Sequence, residues 1–72
     1  MKKETAESVL SVMSDFSTRL NESVKNVRDS AAHDQFVAYR SLVGEVMGKM
    51  FDIMNFVYAE YPDLEPPSLR DA

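Results

Sequence analysis

Val27-Arg28-Asp29-Ser30-Ala31-Ala32-His33-Asp34-Gln35-Phe36 is the stretch in which two apolar stripes of this chain fall out of phase. Upstream of it, Ala6, Val9, Leu10, Met13, Phe16, Leu20, Val24, Val27 and Ala31 recur at steps of three or four, apart from the adjacent pair at 9 and 10. That spacing marks one face of an amphipathic helix. Downstream, Phe36, Tyr39, Val43, Val46, Met50, Ile53 and Val57 step alternately by three and four, as in a heptad seam, and Tyr61 continues the series. A helix turns about 100° per residue, so the five residues from Ala31 to Phe36 leave the two stripes about 140° apart. The mismatch predicts a break at about residues 30–34, with Asp34 as the expected N-cap of a second helix and Ser30 as a competitor one turn earlier.

Against the break stand Ala31 and Ala32, which are good helix formers, and the lack of the glycine usual at such turns. The alternative is one unbroken helix pairing in trans. The phase shift favours an all-α chain folded as a two-helix antiparallel hairpin, with helices over about residues 4–30 and 34–61. No glycine or proline interrupts the chain before Gly44, and Pro62 should end the second helix at Tyr61, because the residue before a proline is pushed out of helical geometry. The predicted organisation is a helical hairpin over residues 1–61 and an extended, proline-containing tail over residues 62–72.

Beside the heptad seam of the second helix runs another apolar line, Leu42, Met47, Phe51, Met54 and Tyr58. A helix apolar over so wide an arc needs more than one neighbour. Seventy-two residues without a cysteine form one small domain with no disulfide to hold it, which leaves partners as the staple. The expectation is a homo-oligomeric, dimeric four-helix bundle. Its interface is expected to use Phe36, Tyr39, Val43, Gly44, Val46, Met47, Gly48, Met50, Ile53, Met54 and Val57.

Gly44 and Gly48 lie one turn apart in a helix interior, where each costs about 1 kcal/mol relative to alanine. With Ser41 they read either as a small-residue notch for a close helix crossing or as simple tolerance. Met47, Met50 and Met54 suit an adaptable binding surface, but methionine at core spacing is ordinary core. Tyr39, Tyr58 and Tyr61 each join an apolar body to a polar tip, which suits an interface edge.

Chemistry is sparse. The chain has one histidine, His33, with Asp29 four residues before it; such a pair supplies two metal ligands at most, and a solvated turn histidine is the plainer reading. Ser8, Ser11, Ser14 and Ser17 wind around a helix instead of lining one face, and none has an adjacent base. No catalytic, cofactor-binding or metal-binding residue is assigned, and no enzymatic activity is expected.

Twelve acidic and eight basic side chains give a net charge of −4. Five of the bases, Lys2, Lys3, Arg19, Lys25 and Arg28, precede the midpoint, whereas from Glu45 onward six acids face only Lys49 and Arg70. No basic patch interleaved with aromatics appears, so no nucleic-acid partner is expected. No apolar run reaches membrane-spanning length, because even the stretch from Met50 to Ala59 carries Asp52 and Asn55. A cytoplasmic chain without a membrane partner is the reading.

The function class expected is an interaction protein that binds copies of itself and another protein, as an adaptor, regulator or chaperone does. Leu64, Pro66, Pro67 and Leu69 in the tail are the candidate docking residues for that other protein. The competing class is a small-molecule or metal binder that uses the interior of a four-helix bundle. It requires inward-facing acids or histidine, and the seam offers none.

Overall fold

The computed structural model describes residues 1–66. It contains two helices, α1 (Lys3–Ser30) and α2 (His33–Glu60), then a 3-10 turn over Pro62–Leu64, and no strand among the described residues. The long dimension of the molecule, 44 Å, is about that of one 28-residue helix at about 1.5 Å per residue. The helices therefore lie alongside each other over their whole length as a helical hairpin. Glu4 in the first turn and Arg28 in the last turn of α1 complement the helix dipole, as does Asp34 at the start of α2.

The reversal is made by two alanines. Ala31 (φ −111°, ψ 164°) and Ala32 (φ −64°, ψ 152°) are both extended, and no residue has a positive φ. The Ala31 N–H still donates to Val27 O at 2.9 Å, and Phe36 N–H donates to Ala32 O at 3.0 Å. No glycine is needed, because two consecutive extended residues redirect the chain without visiting the left-handed region.

The cap expected of Asp34 is not formed. Ala32 occupies the N-cap position with no side-chain hydrogen bond, and Asp34 lies inside the first turn, where its Oδ1 accepts from Gln35 N–H at 3.0 Å. Ser30 Oγ turns back and donates to Asn26 O at 2.7 Å. The start of α2 is thus set by where the stripes must meet, and the capping preference of one side chain yields to packing.

Tyr61 closes α2, donating its N–H to Val57 O at 2.9 Å. Over Pro62–Leu64 the chain is not extended as expected. Pro62 supplies the φ needed for a tight turn, in which Leu64 N–H donates to Tyr61 O at 3.0 Å and Glu65 N–H to Pro62 O at 3.2 Å. Long-range polar links hold this turn against the start of α1. Lys3 Nζ pairs with Asp63 Oδ2, the Met1 amine with Glu60 Oε1 at 3.0 Å, and Tyr61 Oη donates to Met1 O.

The Asp63 carboxylate, hydrogen-bonded to it, holds the Lys3 ammonium above its usual range. Partial burial, and then the Glu60 carboxylate, push the Tyr61 phenol upward. Any stability these groups contribute is complete at neutral pH and is lost only as pH rises past the ordinary lysine and tyrosine ranges. Solvent keeps it small.

Between the helices, Ala6, Val43, Met50, Val57 and Tyr58 are buried. Val9, Leu10, Met13, Leu20, Val24 and Val27 of α1 are half-buried, as are Phe36, Tyr39, Met47 and Met54 of α2. Phe16, expected on the inward stripe, is 46% exposed, and the small Ser17 takes the half-buried place beside it. Ser23 and Tyr39 form a polar link across the seam. Ser23 Oγ spends its hydrogen on Leu20 O at 2.7 Å, so the contact of 2.7 Å between Ser23 Oγ and Tyr39 Oη has the tyrosine as donor. Tyr39→Phe should therefore lower stability by about 1 kcal/mol in urea unfolding while helix content stays unchanged. An unchanged midpoint would show that the link contributes nothing.

Candidate association surface

The hairpin leaves much of its apolar side-chain area in solvent. Val12, Phe16, Val37, Leu42, Val46, Phe51, Ile53 and Phe56 are all exposed, Phe56 to 68% and Leu42 to 60%. Their placement follows from helix geometry. With the inward Met50 of α2 as zero and about 100° per residue, Val46, Ile53, Leu42 and Phe56 fall at about −40°, −60°, −80° and −120°. Phe51, Gly44, Val37 and Gly48 fall on the other flank, at about 100–160°. On α1, with Met13 as zero, Phe16 and Val12 fall at about −60° and −100°. Because the helices are antiparallel, flanks of equal sign lie on the same side of the hairpin. Phe16 and Val12 thus join Leu42, Val46, Ile53 and Phe56 in one apolar face.

Register confirms that these residues are neighbours along the hairpin. Ser23 opposite Tyr39 and Met1 opposite Glu60 set each α1 residue level with the α2 residue whose number completes a sum near 62. Leu20 is then level with Leu42, Phe16 with Val46, and Val9 with Ile53. The face carries few charges: Lys49 lies within it between the lines of Leu42 and Phe56, Glu60 lies at its end, Arg19 lies at its margin with Asp15 and Glu45 just beyond, and Thr5, Ser8, Ser23 and Asn26 supply the rest of its α1 border. Depletion of charge around an apolar centre is the compositional mark of a protein interface.

The residues expected at an oligomer interface separate into groups. Val43, Met50 and Val57 are buried against α1 of the same chain, and Phe36, Tyr39, Met47 and Met54 are half-buried there, so the hairpin itself uses them. Val46 and Ile53 lie on the flank beside the seam and stay exposed. Gly44 and Gly48 lie on the opposite flank, and a methyl group built on either meets no atom within 4 Å. No helix of the same chain crosses closely there. Gly44→Ala and Gly48→Ala are accordingly expected to stabilise the protein by about 1 kcal/mol each, read as a higher denaturation midpoint. A loss of stability would mean that another helix occupies the glycine flank.

Sequence reading passed over Val12 and Phe56. Their signal was present: Leu42, Val46, Lys49, Ile53 and Phe56 form a second series of alternating steps on α2, interrupted by one lysine. Of the candidate docking residues in the tail, Leu64 is half-buried and Pro66 exposed. Pro67 and Leu69 lie outside the described residues.

His33 is exposed at the first turn of α2, its ring 6.5 Å from that of Phe36, and the Arg40 guanidinium lies 5.3 Å above the same Phe36 ring. The break at residues 31–32 puts Asp29 and His33 on different helices, and Asp29 accepts instead from Arg28 Nε at 3.1 Å. The described residues contain no cluster of three or more potential metal ligands and enclose no pocket. No helix among them is long and apolar enough to cross a membrane. Comparisons with protein-family models, curated proteins and solved structures return no match for this chain.

Proposed function

We propose that this chain is a non-enzymatic interaction protein whose hairpins associate with one another into a homo-oligomeric, dimeric four-helix bundle, and that the assembled bundle binds other proteins as a small adaptor or regulator. The observation that carries the reading is the imbalance of burial. Five apolar residues are buried inside the hairpin, while eight large ones on its two helices remain exposed, six of them on one face. A chain this short, without disulfides, gains too little from such a core to be secure alone. A second apolar layer supplies what the first lacks.

The test is sedimentation equilibrium over a wide concentration range, with far-UV circular dichroism on the same samples. The expected result is a mass that is a multiple of the chain at high concentration, with helicity falling as the assembly dissociates. A fully helical monomer that persists at every concentration overturns the reading.

A further inference from the structure

Resting on the proposed self-association, we infer that the occupant of the Val12/Phe16/Leu42/Val46/Ile53/Phe56 face is a second copy of this chain, related by a two-fold axis parallel to the helices, so that α1 of each copy lies antiparallel on α2 of the other.

Charge is complementary in this arrangement. A two-fold axis parallel to the helices keeps every residue at its own height, so the register inside one hairpin also holds between copies. Arg19 on the outer margin of α1 then comes within about two residues, or about 3 Å along the axis, of Glu45 on the outer margin of α2 of the second copy. Asp15 stands in the same relation to Lys49. Both pairs join opposite charges, and each occurs twice in the dimer. Inside one hairpin these partners sit on opposite edges: Asp15, Arg19 and Glu45 form no ion pair among the described residues, and Lys49 has only a loose, exposed pairing with Asp52 at 3.8 Å. The alternative two-fold, perpendicular to the helices, lays α2 on α2; it sets Lys49 against Lys49 when centred on that residue and brings Lys49 to Glu45 only at a particular axial position, whereas the parallel axis gives its charge pairs with no such choice.

The apolar layers agree with the charges. The parallel axis gathers Phe16 and Val46 of both copies into one central layer, flanked by a Leu20/Leu42 layer and a Val9/Ile53 layer. Size agrees as well. The hairpin measures 44 by 24 Å across its broad side, about 1,000 Å² in projection, against roughly 800 Å² per partner for a stable dimer. The glycine flank, with Phe51 and Val37, faces outward from this dimer.

The chain has no cysteine, so single thiols can be placed at will. Asp15→Cys and Lys49→Cys variants, both at exposed positions and checked for helicity, are mixed, equilibrated and treated with a short bismaleimide. The expected product is a cross-linked dimer in the mixture, with little from either variant alone. Independently, Arg19→Glu should raise the dimer dissociation constant about tenfold, and adding Glu45→Arg to the same chain should restore it. Cross-linking of each variant to itself, or no rescue by the second reversal, overturns the arrangement while leaving self-association intact. A dimer that survives Val46→Asp but is split by Phe51→Asp places the interface on the glycine flank and also overturns it. A wild-type chain that is monomeric throughout defeats the underlying reading instead.

Discussion

Met50→Asp is expected to unfold the chain, with loss of the far-UV helical signal and no cooperative thermal transition at any concentration. Met50 is 4% exposed at the centre of the seam, between Val43 and Val57 on the same face of α2. Removing a buried methionine costs about 2–5 kcal/mol through lost transfer energy and the cavity left behind. A carboxylate in its place has no cationic partner on the inward face of α1, and its desolvation adds several kcal/mol more. The sum is comparable with the whole stability of a small domain, about 5–15 kcal/mol. Met50→Leu, which keeps volume and polarity, should stay within about 1.5 kcal/mol of the wild type. A Met50→Asp variant that melts cooperatively would show that the two helices do not meet along this line.

Val46→Asp should behave differently, though it is one turn away and has the same chemistry. In a single hairpin Val46 is 42% exposed on the flank that α1 leaves uncovered, so a carboxylate there keeps much of its hydration. Because the valine is more than half covered, the hairpin alone would feel the change by about 1 kcal/mol, far less than at Met50. Between two copies the same group lies in the central layer beside Phe16 and is present twice. Burying two unpaired carboxylates weakens association by about 3 kcal/mol or more, at least a hundredfold in the dissociation constant. Sedimentation of this variant at concentrations where the wild type is fully associated gives the answer. An unchanged mass would remove Val46 from any interface.

The contrast between these two positions also marks where sequence reading stops. The boundaries expected near residues 4–30 and 34–61 lie within a residue of Lys3–Ser30 and His33–Glu60, because stripe period and phase are properties of one helix at a time. The choice between Val46 and Met47, or between Ile53 and Met54, is not local. Each pair is apolar and adjacent, so either member continues a period between 3.5 and 3.6. Packing decides it: the unbranched methionines turn toward α1, and the stiffer β-branched residues are left outside. The turn after Pro62 escaped for a related reason. It is held against the start of α1 by Lys3 and Asp63, sixty positions apart, and no window of sequence contains both.

A reversal made from two extended alanines asks almost nothing of the residues that occupy it. Every L-amino acid but proline at position 31 reaches those dihedrals, neither Ala31 nor Ala32 contributes a side-chain cap, and no glycine is held there by steric necessity. The instruction to fold back is therefore distributed. It lies in the offset between two stripes of about nine residues each, and no single replacement at the bend deletes it. Substitutions at the corner, proline at 31 apart, should be nearly silent, and short insertions there should be accepted so long as they preserve the phase on either side. The corner is the natural place at which to splice a label, a linker or a second domain.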